Sequence, residues 1–118
     1  MSELDGLRVF TNGELTIVTF EDKGFLDRQS FIGKAGDHLD KIIEARHTKT
    51  LIFDLAEITG LPSDMLGVLV GLQRRKIEIR LFNVTKEVRL ILETTNLERL
   101  FDVREGDLSA LIDASEEE

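Results

Sequence analysis

The run Leu51–Leu55, with the sequence LIFDL, constrains the fold more than any other part of the chain. It is almost continuously apolar, which is typical of a strand covered on both faces rather than of one that alternates between core and solvent. A short turn follows it, and a helix is expected from Ser63 to about Arg75. Strand, turn and helix in this order favour an α/β domain.

The chain before this run carries one hairpin signal and one helix signal. Asn12-Gly13 separates two strand-like stretches, residues 7–11 and 15–20, and this dipeptide is the strongest short hairpin signal in a single sequence. Asp27 is then expected to cap a helix that runs to about Arg46, because a carboxylate can accept hydrogen bonds from the free amides of a first turn.

The chain after the second helix continues the alternation of strands and helices. Residues 77–81 alternate between apolar and charged side chains and predict a strand. Thr85 is expected to cap a third helix, which Asn96 ends in the left-handed conformation. A short strand or extended piece at 100–103 and a helix at 108–112 follow. The order β-β-α-β-α-β-α-β-α predicts a mixed β-sheet with helices packed on it.

Length and charge limit the function. The 118 residues are expected to form one domain, residues 1–113, followed by an acidic, disordered tail at 114–118. The net charge of −8 opposes binding to nucleic acid or to an anionic membrane, so a protein partner is expected. The sequence shows neither a signal peptide nor an apolar stretch of the roughly 20 residues that span a bilayer. A cytoplasmic protein without membrane insertion is therefore expected.

No group of residues predicts catalysis or metal binding. Cys is absent, which excludes thiol catalysis and thiolate metal sites. His38 and His47 lie among charged residues and are expected to be solvated. Asp40 and Glu44 are spaced as on one wet helix face rather than as metal ligands. We therefore expect no enzyme, no catalytic residue, no metal and no cofactor.

The segment that follows the apolar run resembles the signature of the STAS domains, which include bacterial anti-sigma factor antagonists and the cytoplasmic tails of sulphate transporters. The family pattern is a strand followed by roughly Asp-Ser-Ser-Gly-Leu-Gly, in which a partner kinase phosphorylates the second serine. Alignment on Leu66-Gly67 places Pro62 at the aspartate, Ser63 at the first serine, Asp64 at the phospho-acceptor and Met65 at the glycine. The resemblance implies an α/β STAS fold over nearly the whole chain.

The carboxylate at the phospho-acceptor position has three interpretations. Asp64 can simply stabilise the start of the helix through the helix dipole. It can instead act as a permanent mimic of a phosphorylated side chain, with about one negative charge where phosphoserine has nearly two. Alternatively, phosphorylation moves one residue back to Ser63, which otherwise reads as the helix N-cap.

The resemblance implies an anti-sigma factor antagonist, a protein-protein interaction module that binds an anti-sigma factor with a serine-kinase-like fold and so releases a sigma factor. The alternative is an accessory STAS subunit of a membrane transport system, which needs no phosphorylation switch. The oligomeric state stays open. Partner contacts are expected at the turn and helix start, at Leu61, Pro62, Ser63, Asp64, Met65 and Leu66.

Overall fold

The computed structural model describes residues 6–21, 23 and 29–118, with backbone only for 29–32. Within these residues the strands form one mixed six-stranded sheet in the order β5-β4-β3-β2-β1-β6. The strands are β1 Leu7–Asn12, β2 Leu15–Phe20, β3 Thr50–Asp54, β4 Glu78–Phe82, β5 Asp102–Arg104 and β6 Glu116–Glu117. The helices are α1 Gln29–Arg46, α2 Ser63–Arg74, α3 Lys86–Thr94 and α4 Ser109–Asp113, with a 3-10 turn at Leu97–Leu100.

The sheet combines an antiparallel hairpin with parallel crossover units. Strands β1 and β2 pair antiparallel with Asn12 opposite Leu15, so the two turn residues are Gly13 and Glu14, one residue later than the predicted Asn12-Gly13. Gly13 has a φ of 58°, a left-handed value that glycine adopts readily. Strands β2, β3, β4 and β5 are parallel neighbours. The predicted hairpin, the mixed sheet and the α/β class are therefore confirmed.

The two faces of the sheet are covered very unequally. On one side, here called the helix face, the larger core joins the sheet to buried residues of α1, α2 and α3. On the other side, the open face, the smaller core consists of Phe10, Ile17, Ile52 and Leu108, with Leu111 and Ile112 of α4 packed against it. Residues of β3 alternate between the two cores, which explains why the run at 51–55 is almost continuously apolar.

Helix α3 is bounded as its sequence predicts. The Thr85 hydroxyl accepts a hydrogen bond from the Val88 amide at 3.3 Å and so caps the helix. Asn96, two residues beyond the last helical residue, adopts φ 59° and ψ 20°, the left-handed conformation. Both residues act through local backbone geometry, so the sequence contains the information needed to place them.

The expected short strand at 100–103 is displaced. A 3-10 turn occupies Leu97–Leu100, directly after the left-handed Asn96, and the strand β5 begins only at Asp102. The register follows from packing, because Phe101 is buried in the larger core and fixes where the chain enters the sheet. The predicted cap Asp27 lies outside the described residues.

The acidic end of the chain is not a free tail. Glu116 and Glu117 form β6, which pairs antiparallel with β1, and the Glu118 amide donates to the Val9 carbonyl at 2.8 Å. Arg8 and Arg46 neutralise the carboxylates of Glu117 and Glu118 respectively. The expectation of a disordered tail was wrong. The acidic composition of residues 114–118 does not reveal that arginines far away in the sequence bind these carboxylates in the fold.

Candidate functional site

The loop between β3 and α2 is anchored by its apolar residues. Leu55 and Ile58 are almost completely buried in the larger core, and so is Leu61 just before the helix. The Leu55 amide donates to the Phe82 carbonyl at 2.9 Å, and the Ile58 amide donates to the Leu55 carbonyl at 3.0 Å. The loop is therefore a packed connection that presents the start of α2 in a defined position.

Helix α2 begins without a side-chain cap. Pro62 is the N-cap, with extended backbone angles of φ −60° and ψ 154°, and its carbonyl accepts the first helical hydrogen bond, from the Leu66 amide at 3.1 Å. Proline has no side-chain acceptor, so no cap hydrogen bond forms. The interpretation of Ser63 as the N-cap was wrong, because Ser63 is already the first helical residue.

The first turn of α2 consequently offers free hydrogen-bond donors. The amides of Ser63, Asp64 and Met65 lack an acceptor in the described part of the chain. The side chains of Ser63 and Asp64 are exposed, and among the described residues neither makes a hydrogen bond or an ion pair. Unpaired amides at a helix start carry partial positive charge and are suited to bind an anion.

The predicted contact residues divide into exposed and buried ones. Leu61 and Met65 are only 6% and 5% exposed and belong to the larger core. Leu66 and Pro62 are half-buried, and Ser63 and Asp64 are exposed. Leu61 and Met65 therefore anchor the segment in the larger core. In this conformation a partner would contact Pro62, Ser63, Asp64 and Leu66 instead.

The burial of Met65 has a signal in the sequence, the spacing of apolar residues along α2. The buried residues of α2 are Met65, Leu69 and Leu72, spaced by four and three residues. This spacing lines one face of an α-helix. The rest of the apolar side chains on this helix, Leu66, Val68 and Val70, are only partly buried. Leu66 and Val70 have the same spacing of four as Met65 and Leu69, so the phase of α2 in the fold decides which pair faces the core.

Thr85 connects the site to the neighbouring helix. Its hydroxyl donates to the carbonyl of Ile58 at 2.5 Å while it accepts from the Val88 amide. The loop before α2 is thereby tied to the start of α3, beyond the carboxyl ends of the neighbouring strands β3 and β4. The sequence predicted the cap but not this second contact.

Asn83 performs a similar role at the ends of the parallel strands. It has φ 59°, and its amide nitrogen donates to the Gly106 carbonyl at 2.9 Å and to the Asp54 carboxylate at 3.4 Å. The Gly106 amide donates back to the Asn83 side-chain oxygen at 3.0 Å. The Asp54 carboxylate also accepts from the Ala56 amide at 3.1 Å, at the beginning of the site loop. These bonds join the chain segments that follow β3, β4 and β5.

The remaining ionisable residues singled out in the sequence lie away from this site. His47 is exposed and His38 is half-buried on α1. Asp40 forms an ion pair of 2.6 Å with Arg75, which links α1 to the end of α2. Over residues 6–21, 23 and 29–118, no cluster of three or more His, Asp or Glu side chains is arranged to hold a metal ion.

None of the helices in the described part of the chain has both the length and the apolar character needed to cross a membrane.

The comparisons with known proteins identify the fold. No protein-family model and no curated protein matches the sequence. A solved structure from Thermotoga maritima, that of a proposed anti-sigma factor antagonist, is similar with a TM-score of 0.60 and 17% identity. The match covers 95% of this chain and 97% of that chain. The protein has a STAS-like fold. At this identity the similarity extends to the fold and not to individual side chains, so the STAS-like arrangement of strands and helices is what the two proteins share.

Proposed function

We propose that the protein is an anti-sigma factor antagonist of the bacterial cytoplasm, a non-enzymatic regulator of transcription. In this role it binds an anti-sigma factor and thereby makes a sigma factor available. The fold supports the proposal, since a proposed anti-sigma factor antagonist has the same arrangement of elements over nearly its whole length. Fold alone does not determine function, so the local structure at α2 carries the more specific argument.

The observation that carries the proposal is the uncapped, exposed start of α2. Ser63 and Asp64 present a hydroxyl and a carboxylate beside free amides, on a base that buried Leu61 and Met65 hold in place. In α3 the capping side chain of Thr85 accepts from a first-turn amide, whereas among the described residues neither Ser63 nor Asp64 accepts from an amide of α2. The arrangement instead leaves charge and donors available to a partner.

The proposed partner is an anti-sigma factor with a serine-kinase-like fold, and the charge at Asp64 sets the affinity. A carboxylate at the interface weakens binding where the partner offers no opposite charge, because the carboxylate then loses its hydration without a compensating ion pair. Ser63 is the proposed phosphate acceptor. Its exposed hydroxyl makes no hydrogen bond to any described residue. A phosphate there would add a charge of about −1.5 to −2 beside the first-turn amides of α2.

The test compares Asp64 with the residue that occupies the same position in α3. Asp64 and Glu87 are each the second residue of their helix and are each exposed. We expect Asp64→Ser to strengthen binding to a purified anti-sigma factor by about tenfold, whereas Asp64→Glu and the control Glu87→Ser leave the affinity unchanged. Equal affinity of all four proteins in calorimetry would leave Asp64 with only its effect on the helix dipole.

The partner class is tested by affinity capture from a lysate of the source organism, with wild-type and Asp64→Ser baits. Recovery of an ATP-binding, kinase-like protein, more strongly with the serine bait, supports the proposal. Recovery of transporter subunits, equally with both baits, would overturn it in favour of an accessory subunit of a membrane transport system. Incubation of the captured kinase with ATP and then with wild type or Ser63→Ala, followed by mass spectrometry, tests the phosphate acceptor.

A further inference from the structure

The outer edge of β1 is longer than the strand that covers it. Strand β1 spans Leu7–Asn12, but β6 pairs only with Phe10 and Thr11. The Val9 carbonyl accepts from the Glu118 amide, and alternate residues of a strand direct their backbone groups to the same edge. Leu7 therefore directs its amide and carbonyl to this edge, and within the described residues β6 does not pair with it. An edge of this kind is a template for an added strand.

The side chains at this edge bind carboxylates on both faces of the sheet. Arg8 on the open face holds Glu117 with two hydrogen bonds, of 2.9 and 2.6 Å. On the helix face, Arg46 of α1 binds both carboxylate oxygens of Glu118 at 3.1 and 2.9 Å, and the Thr11 hydroxyl donates to Glu118 at 2.9 Å. Successive residues of a strand point to opposite faces, so the edge recognises consecutive acidic residues in an extended chain.

The arginine on the open face is itself positioned for this contact. The Arg8 guanidinium lies over the Phe10 ring, 5.0 Å from its centre, and forms a further ion pair of 2.9 Å with Glu21. Hydrogen bonding from Arg8 is the main cause that lowers the pKa of Glu117. Side-chain geometry and electrostatics at this edge both favour an ionised carboxylate.

The hold of β6 on this edge is weak. The strand consists of two exposed residues. The side chains of Arg8 and Glu117 are 40% and 46% exposed in their ion pair, whereas in the second pair Arg46 is 44% exposed and Glu118 only 17%. Exposed ion pairs contribute little to stability because water and salt screen them. A longer strand would keep the same carboxylate contacts and add backbone hydrogen bonds along Leu7–Val9, so it could displace β6.

We propose that the outer edge of β1 is a strand-addition site for an acidic, extended segment of a partner protein, and that β6 occupies this site when the partner is absent. Charge complementarity on both faces selects the acidic partner, and main-chain pairing supplies affinity. The site lies on the hairpin rather than at the start of α2, and it does not depend on the proposed function. The segment Glu116–Glu118 is the internal competitor of the partner.

The experiment measures binding of fluorescently labelled hexaglutamate to the full chain at low salt by anisotropy. The double variant Glu117→Gln/Glu118→Gln removes the competing carboxylates and should bind about tenfold tighter than wild type. The variant Glu87→Gln/Glu105→Gln makes the same change in net charge at exposed positions elsewhere and should bind like wild type. Hexalysine should bind none of these proteins at the β1 edge.

Removing the arginines provides the converse test. Arg8→Gln/Arg46→Gln should lose hexaglutamate binding, whereas Lys49→Gln, an exposed cation that pairs with Glu14, should not. Amide chemical shifts of residues 7–11 should change on peptide addition, which also reports that each variant is folded. The proposal is overturned if opening the edge does not strengthen binding or if the shifts fall elsewhere. It is also overturned if the Glu117→Gln/Glu118→Gln variant dimerises in sedimentation and the peptide does not dissociate it.

Discussion

The starts of α2 and α3 follow neighbouring parallel strands but are held by different forces. At α3 the Thr85 hydroxyl caps the helix and also bonds to Ile58, so hydrogen bonds hold the start in place. At α2 the N-cap is Pro62, which offers no side-chain acceptor, and the buried side chains of Leu61 and Met65 anchor the chain instead. At α3 one first-turn amide, that of Val88, is capped by a side chain, whereas no side chain in the described part of the chain caps a first-turn amide of α2.

This difference indicates where a partner can bind without disrupting the fold. Hydrogen-bond donors that the fold already uses are not available to a partner, whereas the free amides beside Ser63 and Asp64 are. Anchoring through buried apolar side chains leaves the exposed surface of α2 free to vary in charge. At α2 we therefore expect stability to depend on the buried Met65 and binding to depend on the exposed Asp64, whereas at α3 stability depends on Thr85.

The largest expected effect is loss of the apolar anchor under α2. Met65→Ala should lower the free energy of unfolding by about 2–5 kcal/mol, because it removes a buried side chain and leaves a cavity. The exposed Leu90 of α3, with 63% of its surface accessible, provides the control, and Leu90→Ala should change stability by no more than about 0.5 kcal/mol. Urea denaturation measures both. Similar losses for the two variants would contradict the anchoring role of Met65.

The next effect is loss of the Thr85 hydroxyl. Thr85→Val keeps the shape of the side chain but removes the bonds to Val88 and Ile58, which should cost about 1–2 kcal/mol. Thr85→Ser should restore most of this stability, and Thr94→Val, at an exposed position near the end of the same helix, should cost little. If valine were tolerated at both positions, α3 would be held by packing as α2 is.

A side-chain cap added to α2 should make the two helix starts alike. Pro62→Asp supplies the missing acceptor and should be more stable than Pro62→Ala by about 1 kcal/mol in chemical denaturation. The two variants are compared with each other rather than with wild type, because both lose the rigidity of proline in the unfolded state. No difference between them would mean that the first-turn amides cannot reach a capping side chain.

A third helix start should respond to pH. Asp107 accepts hydrogen bonds from the hydroxyl and the amide of Ser109 at the beginning of α4, and the hydroxyl bond is the main cause that lowers its pKa below the ordinary 3.8. A lowered pKa means that the carboxylate supports α4 above this value and that the support disappears as the pH falls through and below it.

Amide hydrogen exchange measured between pH 6 and pH 3 follows this response. The range includes the pKa of about 4 that a carboxyl group has in the unfolded chain. After correction for intrinsic exchange rates, protection of α4 should decrease on acidification before that of α3, whose cap is an uncharged hydroxyl. Asp107→Asn should remove this early decrease. Simultaneous loss of protection in both helices would show that Asp107 has no separate role.

The smallest expected effect concerns Ser63. Because its hydroxyl makes no hydrogen bond within the described chain, Ser63→Ala should change stability by less than about 0.5 kcal/mol. A loss of about 1 kcal/mol in urea denaturation would instead indicate that Ser63 caps the helix in solution. Thr85→Ala, measured in parallel, gives the loss expected of a true cap.

Features that depend on neighbouring residues could be predicted from the sequence. The hairpin that turns at Gly13, the cap at Thr85 and the left-handed Asn96 each follow from the conformations that a particular residue type allows locally. The run at 51–55 likewise indicates a strand between two cores. The strand, the turn and the helix that carry the candidate site could be placed because each is recognisable locally.

The exposure of individual residues within that site could not be read with the same accuracy. Side chains on a helix rotate by about 100° per residue, so the start and the phase of α2 decide which ones face the core. Moving the N-cap from Ser63 to Pro62 changes the role of Ser63 from a capping residue to an exposed helical residue. The burial of Met65 follows from its contact with the larger core.

The sequence alone determined the order of strands and helices, the caps of α3 and the segment that carries the candidate site, because these depend on residues close together in the chain. The tertiary structure decided that Glu116–Glu118 join the sheet and that Thr85 ties the site loop to α3. The ion pair between Arg8 and Glu117 spans 109 positions in the sequence, and that between Arg46 and Glu118 spans 72. No local pattern contains such a contact, since it exists only after folding brings the edge of β1 and helix α1 to the end of the chain.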